Sequence, residues 1–238
     1  MSAAWKFPII RLVNFNLSNR RPFILLASLF IILRFIESAL PRPTYSKIYF
    51  DRGFSADQKG QRPQAISLYK KAIYHNPSNP RPYEQLGLFA KENEHLEEMF
   101  DYYRKAARFN SQNGEVYREL GMDYFKRKDF TNAAGFLFQA VELKYRDAQT
   151  LYHLGLAYEY LGSYSKAAEN FDRAVLQKYP FPEAAYHAGI SYYKAGDLTQ
   201  AEEKLNFLRN YDRLLAKDLE KIIGRQGPID ILPNPLNP

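Results

Sequence analysis

The chain has 238 residues, of which 46% are apolar, no cysteine and a formal net charge of +7. The absence of cysteine excludes disulfides, thiolate metal sites, a cysteine nucleophile and the lipid-modified cysteine of a bacterial lipoprotein. Residues 1–44 hold six basic residues against one acidic residue, which leaves a net charge of only +2 on the rest of the chain. That is too little for the electrostatic footprint of a nucleic-acid-binding protein, so we expect no nucleic-acid partner.

Residues 22–40 form a long apolar stretch, and their core, residues 23–33, contains no charged residue. Nineteen helical residues reach about 28 Å, close to the ~30 Å thickness of the hydrocarbon core of a bilayer. We therefore predict a single transmembrane or signal-anchor helix at residues 22–40. Residues 1–21 form a basic leader that is suited to lie along the membrane surface. A cleaved signal peptide, a mitochondrial presequence, an ordinary core helix and an unstructured leader are the open alternatives.

The orientation of this anchor follows from the basic residues around it. Four lie before the apolar stretch and four lie shortly after it, so the count alone gives no orientation. The adjacent Arg20 and Arg21, together with an anchor near the N-terminus, favour an N-terminus inside. We expect a single-pass membrane protein whose remaining residues lie on the extracytoplasmic side, with a mitochondrial membrane as the second possibility.

Glycine recurs with a period of 34 residues and no insertion, at Gly53, Gly87, Gly121, Gly155 and Gly189. Alanine stands twelve and nineteen positions after these glycines, except at Met99 and Leu208, and a tyrosine, phenylalanine or leucine stands sixteen after them. Intervals of three, four and seven between these columns are helical. Each unit is predicted as helix A around the glycine, a short turn, and helix B around the alanines. The units are residues 46–79, 80–113, 114–147, 148–181 and 182–215.

The predicted fold is all-α. One helical hairpin cannot bury both of its faces, and at least ~3 stacked units are normally needed for stability. Gly60, Gly162 and Gly196 mark three of the five turns within hairpins. Residues 212–224 are predicted as a capping helix that overlaps the last unit, because an array needs a solubilising end. Residues 227–238 contain four prolines and are predicted as an extended tail.

The columns resemble the tetratricopeptide repeat, whose pattern places an aromatic residue before Leu-Gly, then a tyrosine, then two alanines that flank an aromatic residue. The residues that fit are Tyr83, Leu86, Gly87, Leu120, Gly121, Leu154, Gly155, Tyr158, Ala167, Phe171 and Ala174. The resemblance covers about 170 of the 238 residues. It implies a right-handed superhelical solenoid of five helix-turn-helix repeats that binds protein partners, preceded here by the N-terminal hydrophobic helix.

The resemblance also implies a partner-binding groove. In this family the A helices line the concave face, and the residues three before and one after each glycine usually point into it. Four residues after the glycine, Phe125 and Tyr193 continue the same stripe, whereas Asp57, Lys91 and Glu159 interrupt it. The groove residues are therefore expected to be Phe50, Phe54, Glu84, Leu88, Arg118, Met122, Phe125, Tyr152, Leu156, Tyr186, Ile190 and Tyr193.

Most of these groove residues are apolar or aromatic, so the expected occupant is an apolar helix or an extended segment of a partner protein. Packing of the same rings against neighbouring repeats is the alternative. The cochaperone branch of the family captures a carboxylate with lysine and asparagine at such positions. Apolar residues stand there in this chain, so that activity is not expected.

No catalytic, cofactor or metal site is predicted. His153 and His187 stand one repeat apart, but no third metal ligand accompanies them. The sequence contains no phosphate-binding glycine loop, nucleophile elbow or zinc motif. We expect a non-enzymatic scaffold or adaptor, tethered to a membrane, without cofactor or small-molecule substrate. The alternative is a fixed structural subunit of a larger membrane machine, such as a secretion, pilus or motility apparatus.

Overall fold

A computed structural model of the protein describes residues 42–224, which form eleven α-helices and no β-strand. The leader at 1–21, the predicted transmembrane helix at 22–40 and the tail at 227–238 lie outside the described residues. None of the helices between residues 42 and 224 combines the length and the apolar character that a membrane crossing requires. The helices are α1 Arg42–Gln58, α2 Arg62–His75, α3 Pro80–Glu92, α4 Leu96–Arg108, α5 Gly114–Lys126, α6 Phe130–Glu142, α7 Ala148–Tyr160, α8 Tyr164–Gln177, α9 Pro182–Ala195, α10 Leu198–Tyr211 and α11 Arg213–Ile223.

The first ten helices pair as five hairpins, and each helix also packs against the next one along the chain. The odd-numbered helices α1 to α9 are the predicted A helices, and the even-numbered helices α2 to α10 are the predicted B helices. Helix α1 begins at Arg42, four residues before the predicted boundary at 46. The all-α prediction with stacked hairpins is confirmed for the described residues.

The glycines of the 34-residue column lie where helix A meets a large side chain of helix B. The pairs are Gly53 with Tyr69, Gly87 with Tyr103, Gly121 with Leu137 and Gly155 with Phe171. A Cβ atom added to Gly155 would stand 2.7 Å from the ring of Phe171, which is closer than real Cβ contacts allow. The glycines therefore recur every 34 residues because helices A and B approach closely at these positions. A side chain on helix A there would prevent this approach.

The last column glycine has a different neighbour. A Cβ atom on Gly189 would meet Leu219 of α11 at 2.5 Å, so the predicted capping helix takes over the contact at the end of the array. Leu219 is fully buried, and Asp212 caps α11 by accepting hydrogen bonds from the backbone N–H groups of Leu214 and Leu215. Helix α11 therefore covers the apolar surface that a sixth hairpin would otherwise cover.

The turns inside the hairpins share one backbone conformation. The residue seven positions after each column glycine has a positive φ, and the next residue donates its N–H to the carbonyl five positions earlier, as in a Schellman motif. Glycine occupies only three of these five left-handed positions, which are Gly60, Glu94, Lys128, Gly162 and Gly196. The two turns without a glycine, at Glu94 and Lys128, therefore have the same conformation as the other three. A residue with a side chain adopts a positive φ at a higher energetic cost than glycine does.

The Ser191 hydroxyl in α9 is fully buried and has no hydrogen-bond partner among the described residues. The equivalent residue of α7 is the buried Ala157. A buried hydroxyl without a partner is unfavourable, so Ser191→Ala should raise the free energy of unfolding by about 1 kcal/mol. Thermal unfolding of the full chain in detergent, followed by circular dichroism, measures the change.

The matched control is Ser111, which is as buried as Ser191 but makes two hydrogen bonds. Its hydroxyl donates to Glu84 at 2.7 Å and accepts from the backbone N–H of Asn113 at 3.0 Å. Ser111→Ala should therefore lower the melting temperature. If the two alanine variants shifted the melting temperature in the same direction, hydrogen bonding would not explain either result.

Candidate partner-binding surface

The A helices lie side by side along one face of the array. Helices α5 and α7 contact one another directly, as do α7 and α9, whereas consecutive B helices between α2 and α10 make no comparable contact. A stack of hairpins whose A helices lie closer together than its B helices curves toward the A helices. We call this side the inner face, and all twelve predicted groove residues lie on the helices that form it.

Ten of these twelve side chains are half-buried, and the other two lie at the extremes. Phe54 is 44% exposed, whereas Phe50 is 3% exposed. The guanidinium group of Arg81 lies 4.2 Å from the centre of the Phe50 ring, and the ring centres of Tyr69 and Phe54 lie 5.5 Å and 6.5 Å from it. Phe50 thus reaches the inner face only beneath Arg81, while Phe54 is open to solvent beside it.

In the middle of the inner face, Tyr152 is surrounded by rings from two repeats. Its ring centre lies 5.7 Å from Phe171, 5.3 Å from Phe181 and 5.7 Å from His187. Burial raises the pKa of Tyr152, and the carboxylates of Glu183 and Glu159 raise it further. Tyr152 therefore stays neutral and joins the α7–α9 junction, while part of its side chain remains exposed.

Other predicted groove residues divide between packing and polar roles. Met122 and Phe125 pack on the core between repeats three and four, Leu156 packs beside Phe171, and Tyr186 and Ile190 pack on the core that α11 closes. Glu84 accepts a hydrogen bond from Ser111, and Arg118 lies beside Glu119 and Asp147. Leu88 and Tyr193 belong to none of the core clusters of the described residues. The predicted stripe thus combines packed rings with freer apolar positions.

The structure also shows a ladder of contacts along the inner face that the sequence reading missed. In three successive junctions, the residue four after one column glycine meets the residue two before the next column glycine, 28 positions further along the chain. Lys91 Nζ lies 2.9 Å from Glu119 Oε1, the Phe125 ring meets the His153 ring edge-on at 5.4 Å, and Glu159 Oε2 lies 2.9 Å from His187 Nδ1.

The charges of the ladder are satisfied internally. Lys91 also contacts Glu115 at 2.7 Å, and Glu159 also contacts Lys194 at 3.8 Å. Burial alone would lower the pKa of Lys91, but hydrogen bonds to Glu115 and Glu119 outweigh it and raise the pKa. The ladder therefore fixes the spacing of neighbouring A helices and leaves its lysine fully charged and already paired.

The two histidines that stand one repeat apart do not face a common ligand. His153 Nδ1 lies 2.8 Å from the carbonyl oxygen of Gln149, and burial lowers its pKa, against the opposing effect of that hydrogen bond. His187 faces Glu159 instead. No group of three or more histidine and carboxylate side chains in residues 42–224 is arranged to hold a metal ion.

Comparisons with known proteins bear on the repeats. A family model for the tetratricopeptide repeat matches residues 118–181 and again residues 152–212. Residues 118–212 thus match the sequence pattern of the tetratricopeptide repeat. The first two hairpins carry the same glycine contacts and the same turns in the same register. Arrays of this kind are typical non-enzymatic scaffolds for protein–protein interaction.

Two solved structures show the same fold. The crystal structure of YrrB, described as a TPR protein with an unusual peptide-binding site, is 24% identical with a TM-score of 0.53. The alignment covers 73% of this chain and 90% of YrrB. MamA AMB-1 is 19% identical with a TM-score of 0.51, over 71% of this chain and 92% of MamA. No curated protein matches the chain significantly. At these identities the likeness establishes the fold alone.

Proposed function

We propose that this chain is a membrane-tethered, non-enzymatic scaffold that holds an apolar helix or an extended segment of a partner protein against its inner face. The observation that supports the proposal is the composition of that face. Apolar side chains remain partly open to solvent there, on A helices whose spacing is fixed by the ladder. A rigid surface binds with little loss of conformational entropy, and partly exposed apolar side chains gain free energy when a partner covers them.

Three apolar side chains on the inner face are best placed to gain free energy when a partner covers them. Phe54 is 44% exposed, and Leu88 and Tyr193 are half-buried without belonging to a core cluster of the described residues. They lie on α1, α3 and α9, so they sample most of the length of the inner face. A partner segment that contacts all three needs to be long, which favours a helix or an extended strand over a chain terminus.

The charges on the inner face argue against capture of a carboxylate. Lys91 is paired with Glu115 and Glu119, and Arg118 lies next to Glu119 and Asp147. An incoming carboxylate would have to displace these acidic side chains and leave them unpaired. The apolar positions are the remaining source of affinity, so the partner segment that we propose is apolar.

The anchor and its orientation are further parts of the proposal. Residues 22–40 would span the membrane once, with the repeats on the extracytoplasmic side. Two experiments on cells that carry the full chain test the anchor and the orientation of the repeats. The chain should stay in the membrane pellet after alkaline extraction, and the repeats should be cleaved when protease is added to cells whose inner membrane is exposed but intact. Recovery of the full chain in the soluble fraction would contradict the proposed membrane tether.

Partner capture is tested by a triple variant, Phe54→Ser, Leu88→Ser and Tyr193→Ser, in the full chain. Its matched control is Leu96→Ser, Phe138→Ser and Leu198→Ser, three exposed apolar side chains on the B helices. After crosslinking in membranes and quantitative mass spectrometry, the control should recover partners like the wild type, and the inner-face variant should recover them about tenfold less, a loss of ~1.4 kcal/mol or more. Equal recovery from both variants would contradict the proposal.

The stoichiometry in the same experiment addresses the alternative, a fixed subunit of a larger membrane machine. A scaffold that captures a partner transiently should recover less than one partner per chain, in an amount that rises with crosslinking. A fixed subunit should bring its assembly along at a constant ratio without crosslinker.

A further inference from the structure

The array has two long edges, because the A helices all run one way and the B helices run back. The turns within hairpins lie on one edge, which we call the turn edge, and the links from each B helix to the next helix lie on the other, which we call the linker edge. Fourteen residues of each repeat define the linker edge, in the ranges 70–83, 104–117, 138–151, 172–185 and 206–219. The turn edge is the same window moved by half a repeat, in the ranges 53–66, 87–100, 121–134, 155–168 and 189–202.

The two edges differ in charge. The linker edge has 13 lysine and arginine residues and 7 acidic residues, a net charge of +6. The turn edge has 8 basic and 10 acidic residues, a net charge of −2. The near-neutral total for the repeats therefore hides a separation of charge across the width of the array, which no count over the whole chain reveals.

The most exposed large apolar side chains lie on the linker edge as well. Tyr74 is 82% exposed, Leu214 is 80% exposed and Leu176 is 79% exposed. Near the C-terminal end of this edge, the hydroxyl groups of Tyr179 and Tyr211 are hydrogen-bonded at 2.7 Å, and the two residues are 63% and 46% exposed. Basic residues interspersed with exposed tyrosine and leucine are the composition of protein surfaces that sit in the headgroup region of a bilayer.

The position of α1 connects this edge to the membrane. Helix α1 begins at Arg42 on the linker edge, and the side-chain amide of Asn79, in the first link, donates to Ser46 in the first turns of α1 at 3.4 Å. Only Pro41 stands between the apolar residues 22–40 and Arg42. If they span a membrane, the chain leaves the bilayer at the linker edge.

We propose that the linker edge rests on an anionic lipid surface, so that the array stands on the membrane with its turn edge away from it. This inference depends on the proposed membrane tether. Lysine and arginine close to an anionic leaflet contribute roughly 1 kcal/mol each, and the effect is lost beyond about one Debye length. Exposed leucines have no role in binding a phosphate backbone, whereas the headgroup region accepts them, which favours a lipid surface over a nucleic acid.

The absence of cysteine makes a site-specific test straightforward. Leu214→Cys, on the linker edge, and Leu198→Cys, on the turn edge of the same repeat, are both exposed and give one labelling site each in the full chain. The fluorophore-labelled proteins are reconstituted in phosphatidylcholine vesicles with and without phosphatidylglycerol, and quenched by lipids with a nitroxide headgroup. In vesicles with phosphatidylglycerol, quenching at position 214 should exceed quenching at position 198 by about threefold or more.

Charge reversal gives the second arm. Lys178→Glu, Arg213→Glu and Lys217→Glu on the linker edge should abolish the excess quenching at Leu214→Cys, whereas Lys59→Glu, Lys126→Glu and Lys166→Glu on the turn edge should leave it unchanged. High salt should act like the first set. Equal quenching at positions 214 and 198 in a chain that floats with the vesicles would overturn this inference alone. A chain that does not float would overturn the membrane tether as well.

Discussion

Gly121→Ala should lower the free energy of unfolding by about 1–3 kcal/mol, although alanine is the better helix former. The added Cβ would stand 2.6 Å from Leu137 Cγ and 3.0 Å from the Leu137 backbone nitrogen. Leu137 is fully buried, and a backbone atom cannot turn away as the end of a flexible side chain can. The two helices have to separate, which costs packing along the whole hairpin.

The control is Gly135→Ala, in the middle of α6. Nothing lies within 4 Å of a Cβ at Gly135, so only the helix propensity changes. This variant should gain about 0.5–1 kcal/mol. Thermal unfolding in detergent should therefore shift in opposite directions for two identical substitutions at mid-helix glycines. A stabilising effect at both positions would show that the glycine column is not set by the approach of helices A and B.

Leu219→Ala should be destabilising by about 2–5 kcal/mol, because it removes the side chain that fills the space beside Gly189. Each repeat contacts mainly its neighbours, so the loss should stay at the C-terminal end of the array. Hydrogen exchange followed by mass spectrometry should show faster exchange in α9, α10 and α11, and unchanged exchange in α3 to α6.

The control on the same helix is Leu214→Ala, whose side chain is 80% exposed. Its effect on stability should stay within about 0.5 kcal/mol. Uniform acceleration of exchange over the whole array in Leu219→Ala would mean that the repeats unfold as one unit and that α11 does not act as a local cap.

The hairpins could be predicted because their determinants repeat. A close helix approach needs glycine and the opposing position needs a large apolar residue, so the same residue types return every 34 positions. The capping helix was predicted on the same principle, because an array has to end on a surface that water can cover. Two of the five turns carried no sequence mark, since Glu94 and Lys128 hold the left-handed conformation that glycine holds in the others.

The ladder on the inner face could not be predicted from recurring residue types. The spacing of its contacts repeats along the chain, but the residue types that make the contacts change from one junction to the next. Lys91 with Glu119, Phe125 with His153 and Glu159 with His187 are an ion pair, a ring contact and a carboxylate–imidazole pair. A comparison of residues 28 positions apart could have found them, but a search for conserved types could not. The burial of Phe50 under Arg81 is equally invisible in the sequence, because it depends on a neighbouring repeat.

The groove itself stays a prediction that the structure has made more specific. The positions proposed from the resemblance all lie on the helices that form the inner face, but their side chains differ in exposure. Phe54, Leu88 and Tyr193 can be covered by a partner without disturbing the core, whereas Tyr186 and Ile190 already support the capping helix. A substitution at Tyr186 would mix loss of binding with loss of stability, which is why the triple variant avoids it.

Site-specific photo-crosslinking in living cells tests the central claim most directly. A photoreactive amino acid is placed at Leu88 or Tyr193 on the inner face, and at Leu96 or Leu198, which are exposed on B helices at the turn edge, in otherwise unchanged full chains. Partner capture on the inner face predicts discrete adducts of one size from Leu88 and Tyr193, and none from Leu96 or Leu198. Adducts from the B-helix positions without adducts from the inner face would contradict it.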